Sequence, residues 1–106
     1  MKKSTLYGLQ GGFEAKEGQK EQLAEILLEA ADLMKSAQGC RLYAVSFDTN
    51  QANQVCVTEI WDSKEDHDNS LNLAGVRELI GKAIPLLAGN PTKGQELEIL
   101  GGFFGC

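Results

Sequence analysis

Apolar and polar positions alternate from Thr5 to Glu14, so Thr5, Tyr7, Leu9, Gly11 and Phe13 share one face of a predicted strand. Glycines at 8, 11 and 12 weaken this strand and suggest that another backbone or a ligand comes close. The period then changes. Leu23, Ile26, Leu27, Ala30, Leu33, Met34 and Ala37 recur at three- and four-residue steps and predict a helix over 19–37 with Met34 in its core stripe. Gly39 ends that helix, and two β-rich runs, 40–48 and 54–62, flank the polar TNQAN segment as an antiparallel hairpin. In its first arm Arg41, Tyr43, Val45 and Phe47 share a face, and in its second Val55, Val57, Glu59 and Trp61 do.

Ser63, three residues before Asp66, predicts a capped short helix over 64–71. A further helix from about Ala74 carries Val76, Leu79, Ile80, Ala83 and Leu87, with Gly81 and Pro85 weakening its last turns and Gly89-Asn90-Pro91 ending it. A last strand over 95–100 and an apolar GGFFGC tail complete a β-α-β-β-α-β order. That order is an α+β, ferredoxin-like fold with helices on one face of an antiparallel sheet. Both parities of the hairpin are apolar, so the uncovered face is expected to meet a second copy of the chain as a homodimer.

Length and charge narrow the function. The 106 residues make a single domain, 1–106, with one core. A net charge of −5 disfavours nucleic acid and anionic membranes as partners. No apolar run approaches the roughly 18 residues of a membrane span, and Met1-Lys2-Lys3 does not open a signal peptide, so a cytoplasmic location is expected. Cys40, Cys56 and Cys106 are odd in number and widely spaced, and a single histidine accompanies them. Free thiols are expected, with neither a disulfide framework nor a metal site.

Candidate chemistry gathers around Glu59-Ile60-Trp61-Asp62-Ser63 and the His67 and Ser70 that follow on one helix face. His67 lies among four carboxylates, Asp62, Glu65, Asp66 and Asp68, and reads either as a solvated surface residue or as a functional one. Trp61 reads as a core plug or as the flat wall of a pocket for an aromatic ligand. Glu59, on a face otherwise filled by Val57 and Trp61, needs a partner such as Arg41 across the hairpin, or else lines a wet cavity. Tyr43, beside Phe47, reads as sheet packing.

Gly39-Cys40-Arg41-Leu42-Tyr43, Glu59-Ile60-Trp61, the segment from Glu65 to Leu71, Val76 to Ile80, and Ala83 to Gly89 stand in an order and spacing that resemble the antibiotic biosynthesis monooxygenase family. The resemblance spans nearly the whole chain, and Glu-x-Trp followed by a short acidic helix is its most specific part. It implies a dimeric α+β barrel, with two sheets face to face and a pocket in each subunit between sheet and helices. Enzymes of this family oxidise phenolic or quinol-like substrates with molecular oxygen and without metal or flavin, so no cofactor is expected. His67 is then the candidate catalytic base, and Trp61, Glu59, Tyr43 and Ser70 the candidate substrate-binding residues.

Haem-degrading relatives carry an Asn on the first strand and a His further beyond the Trp, positions that fall near Gly11 and Leu71 here, so haem is not expected. The family also holds isomerases and proteins without shown activity. A non-catalytic dimeric binder of small hydrophobic molecules, or an isomerase of a small oxygenated metabolite, are the alternative readings.

Overall fold

The computed structural model of the chain describes residues 5–89 and 94–103. The helix stop at Asn90-Pro91, Cys106 and the end of the apolar tail lie outside the described residues. The four strands are β1 (Leu6–Glu14), β2 (Cys40–Phe47), β3 (Gln54–Trp61) and β4 (Gln95–Ile99). They form one sheet in the order β2-β3-β1-β4, with every pairing antiparallel. Helices α1 (Lys20–Leu33), α2 (Lys64–Ser70) and α3 (Val76–Ala83) supply the second layer. This is the α+β ferredoxin-like arrangement.

The strands lie within a residue of their predicted bounds, but two helices are shorter than their periodicity suggests. The helical stripe over 19–37 is α-helix only to Leu33, and Met34–Ser36 tighten into a 3-10 turn. Likewise α3 gives way at Ile84–Leu86 to a 3-10 turn holding Pro85, whose missing N–H and ring cannot continue the α-helical ladder. Gly39 turns the chain from this layer into β2 with φ +84°, and a Cβ there would collide with the Asp66 carboxylate. The cap of α2 forms as expected, with Ser63 Oγ accepting from Asp66 N at 3.1 Å.

Register defines which face carries the chemistry. Tyr7, Leu9, Gly11 and Phe13 stand opposite Trp61, Glu59, Val57 and Val55, and Tyr43, Val45 and Phe47 flank Glu59, Val57 and Val55 from the other side. This face packs on the helices. Leu23, Val55 and Trp61 are fully buried, and Trp61 forms a cluster with Met34 and Val76.

A register shift between Cys40 and Leu42 corrects the expected placement of Arg41. Arg41 is the extra residue of a bulge, so it leaves the Tyr43 face and binds Asp62 instead, Nε to Oδ1 at 2.5 Å, while Cys40 takes its place beside Trp61.

The opposite parity forms a face that no described helix covers. Leu6, Leu42, Ile60, Leu97 and Ile99 lie on it. The β1 glycines are explained in part by this face: Ile99 lies so close over Gly8 that a Cβ there would stand 2.7 Å from its Cδ1. Cys40 and Cys56 are free thiols. Among the described residues no helix is long and apolar enough to cross a membrane.

Candidate functional site

A partly enclosed cavity of about 190 Å³ lies between the helix-covered face of the sheet and the helices. Its walls are apolar, from Phe13 on β1, Ile26, Leu27 and Ala30 on α1, and Val76 and Leu79 on α3. Four polar side chains interrupt them: Tyr43, Glu59, His67 and Ser70. An apolar chamber with a few convergent polar groups is the usual form of a small-molecule site. A larger depression of about 710 Å³ between α1 and α3 is an open groove rimmed by Glu25, Glu29 and Glu78, and none of the four polar residues lines it.

His67 occupies this site because α2 starts at a fixed point. The Ser63 cap sets the helix phase, which turns position 67 inward, toward Tyr7 and Trp61. The imidazole is only 16 % exposed, which separates it from a solvated surface histidine. Its ring centroid stands 5.7 Å from that of Tyr7 and 5.7 Å from that of Trp61, the latter edge-on at 81°. Nδ1 contacts Asp68 Oδ1 at 2.9 Å, and Nε2 stands 3.9 Å from Glu59 Oε1. Of the four carboxylates near His67 in sequence, Asp68 is the one that touches the ring.

Glu59 finds a partner that the sequence reading did not assign. Trp61 Nε1–H donates to its Oε1 at 2.9 Å, from two positions along the same strand face. Arg41 is committed to Asp62 and does not reach it. Burial raises the Glu59 pKa above 4.5, opposed by the Trp61 hydrogen bond and by the charge of His67.

Tyr43 faces Glu59 across the β2–β3 pair, and burial together with the Glu59 charge pushes its hydroxyl above the ordinary phenol range, leaving it a firm O–H donor. On β1 the Tyr7 hydroxyl, partly buried and donating to Glu96 at 2.8 Å, is raised to about 12. Ser70 is buried and lines the cavity, but its hydroxyl donates to the His67 carbonyl at 2.5 Å, so it offers a ligand a lone pair rather than a proton.

The structure thus brings His67, Glu59, Tyr43 and Ser70 to one chamber and places Trp61 differently. Trp61 is 0 % exposed and is not among the cavity-lining residues, so the flat-wall placement gives way to a core position one layer behind. Its contribution reaches the site through Glu59 and His67. Sequence reasoning counted Asp68 among four carboxylates near His67 without singling it out, and missed the mouth residues Leu71 and Ile80. These two are each 42 % exposed while lining the cavity. Among the described residues no cluster of His, Cys, Asp and Glu has the arrangement to hold a metal ion.

The sequence profile of the antibiotic biosynthesis monooxygenase family matches residues 7–82, a span from β1 through most of α3 that contains all the polar cavity residues. A crystal structure from Chloroflexus aurantiacus, which bears the provisional name antibiotic biosynthesis monooxygenase, is 37% identical with a TM-score of 0.84. The match covers 94% of this chain and 99% of that one. Two more distant structures share the fold. A provisionally named antibiotic biosynthesis monooxygenase from Caulobacter crescentus is 15% identical, covers 92% of each chain and has a TM-score of 0.83. A protein of unknown function from Nitrosomonas europaea is 22% identical, covers 99% of each and has a TM-score of 0.79. No functionally curated protein matches the chain. From the profile match and the 37% identity over nearly full length, the chain belongs to the antibiotic biosynthesis monooxygenase family.

Proposed function

We propose that this protein is a cofactor-independent monooxygenase that oxidises a small phenolic or quinol-like molecule with molecular oxygen, working as a homodimer. Family membership supports the reaction class. The observation that carries the reading is an imidazole built into the wall of an apolar cavity, with one nitrogen tied to a carboxylate and the other without a hydrogen bond among the described residues.

The chemistry needs little more than that. His67 Nε2 takes the proton of a phenolic hydroxyl, and the phenolate, an electron-rich reductant, transfers an electron to oxygen. Recombination at a ring carbon forms a C–O bond. Cleavage of the O–O bond then leaves one oxygen atom on the ring as a carbonyl, while the other departs as water with the ring C–H hydrogen and the hydroxyl hydrogen. The substrate supplies all four electrons.

Glu59 beside Nε2 favours the imidazolium that forms, and the Tyr43 hydroxyl donates to a substrate oxygen. Apolar walls keep water from the reactive intermediates. A cavity of about 190 Å³ suits a single-ring molecule, and Leu71 and Ile80 stand where it would enter.

The uncovered sheet face, with Leu6, Leu42, Ile60, Leu97 and Ile99, is the surface offered to the second copy.

Oxygen uptake with a panel of single-ring phenols and 1,4-dihydroxybenzenes, run under ¹⁸O₂, tests the reading. One labelled atom should appear in the organic product and one in water. Binding without oxygen uptake would instead assign a non-catalytic binder, and exchange of substrate protons without uptake an isomerase.

A further inference from the structure

We propose that Asp68 is a positioning residue that fixes the tautomer of His67, so that Nδ1 carries the proton and Nε2 presents a bare lone pair to the cavity. This rests on the reading of His67 as the base and adds to it the group that makes that base usable.

The geometry follows from adjacent helix positions. His67 turns its ring inward, and Asp68, the next residue, lies on the solvent side of α2 with its side chain 53% exposed. The imidazole therefore bridges the cavity wall. Its outer nitrogen meets Asp68 Oδ1 at 2.9 Å, while its inner nitrogen, 3.9 Å from Glu59 Oε1, makes no hydrogen bond among the described residues.

The hydrogen bond from His67, together with the charge of Lys64, holds the Asp68 carboxyl below its ordinary range, so it is ionised near neutral pH and can only accept. A neutral ring has one N–H, and the carboxylate draws it to Nδ1.

Asp68 is itself held. Lys64, one helical turn earlier, stands 3.7 Å from Asp68 Oδ2 and 3.6 Å from Glu96 Oε2 on β4, pinning the carboxylate between α2 and the sheet edge. Among the described residues, Tyr7 from β1 and Glu59 and Trp61 from β3 also stand around the ring. Tyr7 donates to Glu96, and Trp61 donates to Glu59, so neither competes for Nδ1. Among the described residues no other group bonds Nδ1, and Glu59 beside Nε2 would draw the proton the other way.

His67 is the only histidine of the chain, so ¹⁵N spectra of the imidazole report on it alone. With the ring neutral, the wild type should show Nδ1 protonated and Nε2 bare. Asp68→Ala should move the population toward Nε2–H, and Asp68→Asn, which retains an acceptor, should fall between. Asp68 is half exposed, so these variants are expected to fold, and unchanged backbone spectra verify it. In parallel, uptake of the probe 4-nitrophenol as its yellow phenolate should fall roughly 10-fold in Asp68→Ala.

A wild-type ring in the Nε2–H form, or a tautomer unchanged in Asp68→Ala, overturns the proposal. A shifted tautomer with unchanged phenolate uptake upholds the role of Asp68 in setting the tautomer and contradicts His67 as the base, so the two failures are distinguishable.

Discussion

The indole N–H of Trp61 donates to Glu59 Oε1 at 2.9 Å, joining the most deeply buried large side chain to the carboxylate that faces His67. Core and site are therefore one unit. The bond holds Glu59 in a place where its charge is poorly solvated, and a consequence for stability follows.

Burial raises the Glu59 pKa above 4.5, so the folded protein binds this proton more tightly than the unfolded chain. The stability it contributes is full below the unfolded value and is lost as pH rises through the raised one. Glu59→Gln keeps shape and an acceptor for Trp61 but does not ionise. It should melt above wild type at pH 8, and the gain should vanish near pH 4. Melting below wild type at pH 8 would contradict the account.

Trp61→Ala should destabilise the protein by roughly 3–5 kcal/mol, because it empties a fully buried position against Met34 and Val76 and leaves Glu59 without its donor. Trp61→Phe should cost less and still lose the hydrogen bond. Chemical denaturation measures both. An alanine variant of near-native stability with weakened binding of planar ligands would return Trp61 to the cavity wall.

Much of this architecture was legible in the chain. Period-2 and period-3.6 patterns placed the strands and helices, and Ser63 with Asp66 placed the start of α2, because these signals are local. The bulge at Arg41 was not legible: alternation assigns it to the Tyr43 face, and only the pairing of β2 with β3 reveals the extra residue. Glu59, His67, Tyr43 and Ser70 could be named as candidates from their chemical types, but their meeting depends on how α2 docks on β3. Trp61 was ambiguous for the same reason, since a large aromatic at a strand end suits a wall or a core equally. The cavity walls were hidden because Ile26, Ala30 and Leu79 obey the same helical period whether they fill a core or line a void.

The uncovered face gives a prediction independent of chemistry. A stable pair buries about 800 Å² per partner, and a sheet face carrying Leu6, Leu42, Ile60, Leu97 and Ile99 offers an apolar centre for it. Sedimentation at micromolar concentration should give twice the 11.5 kDa chain mass. Ile60→Lys should shift the population to monomer while keeping the helix content. A monomeric wild type would contradict the dimer.

The central claim is that His67 Nε2 removes a proton from a ligand held in the cavity, and ionisation of bound 4-nitrophenol in wild type against His67→Gln tests it most directly. Glutamine keeps a polar side chain of similar reach and cannot act as the base, and turnover on any substrate found by oxygen uptake should fall roughly 100-fold to 10,000-fold. At a pH where the free probe is largely protonated, binding to the wild type should produce phenolate absorbance, and the variant should bind the neutral phenol without it. Equal phenolate formation by both proteins would contradict the account.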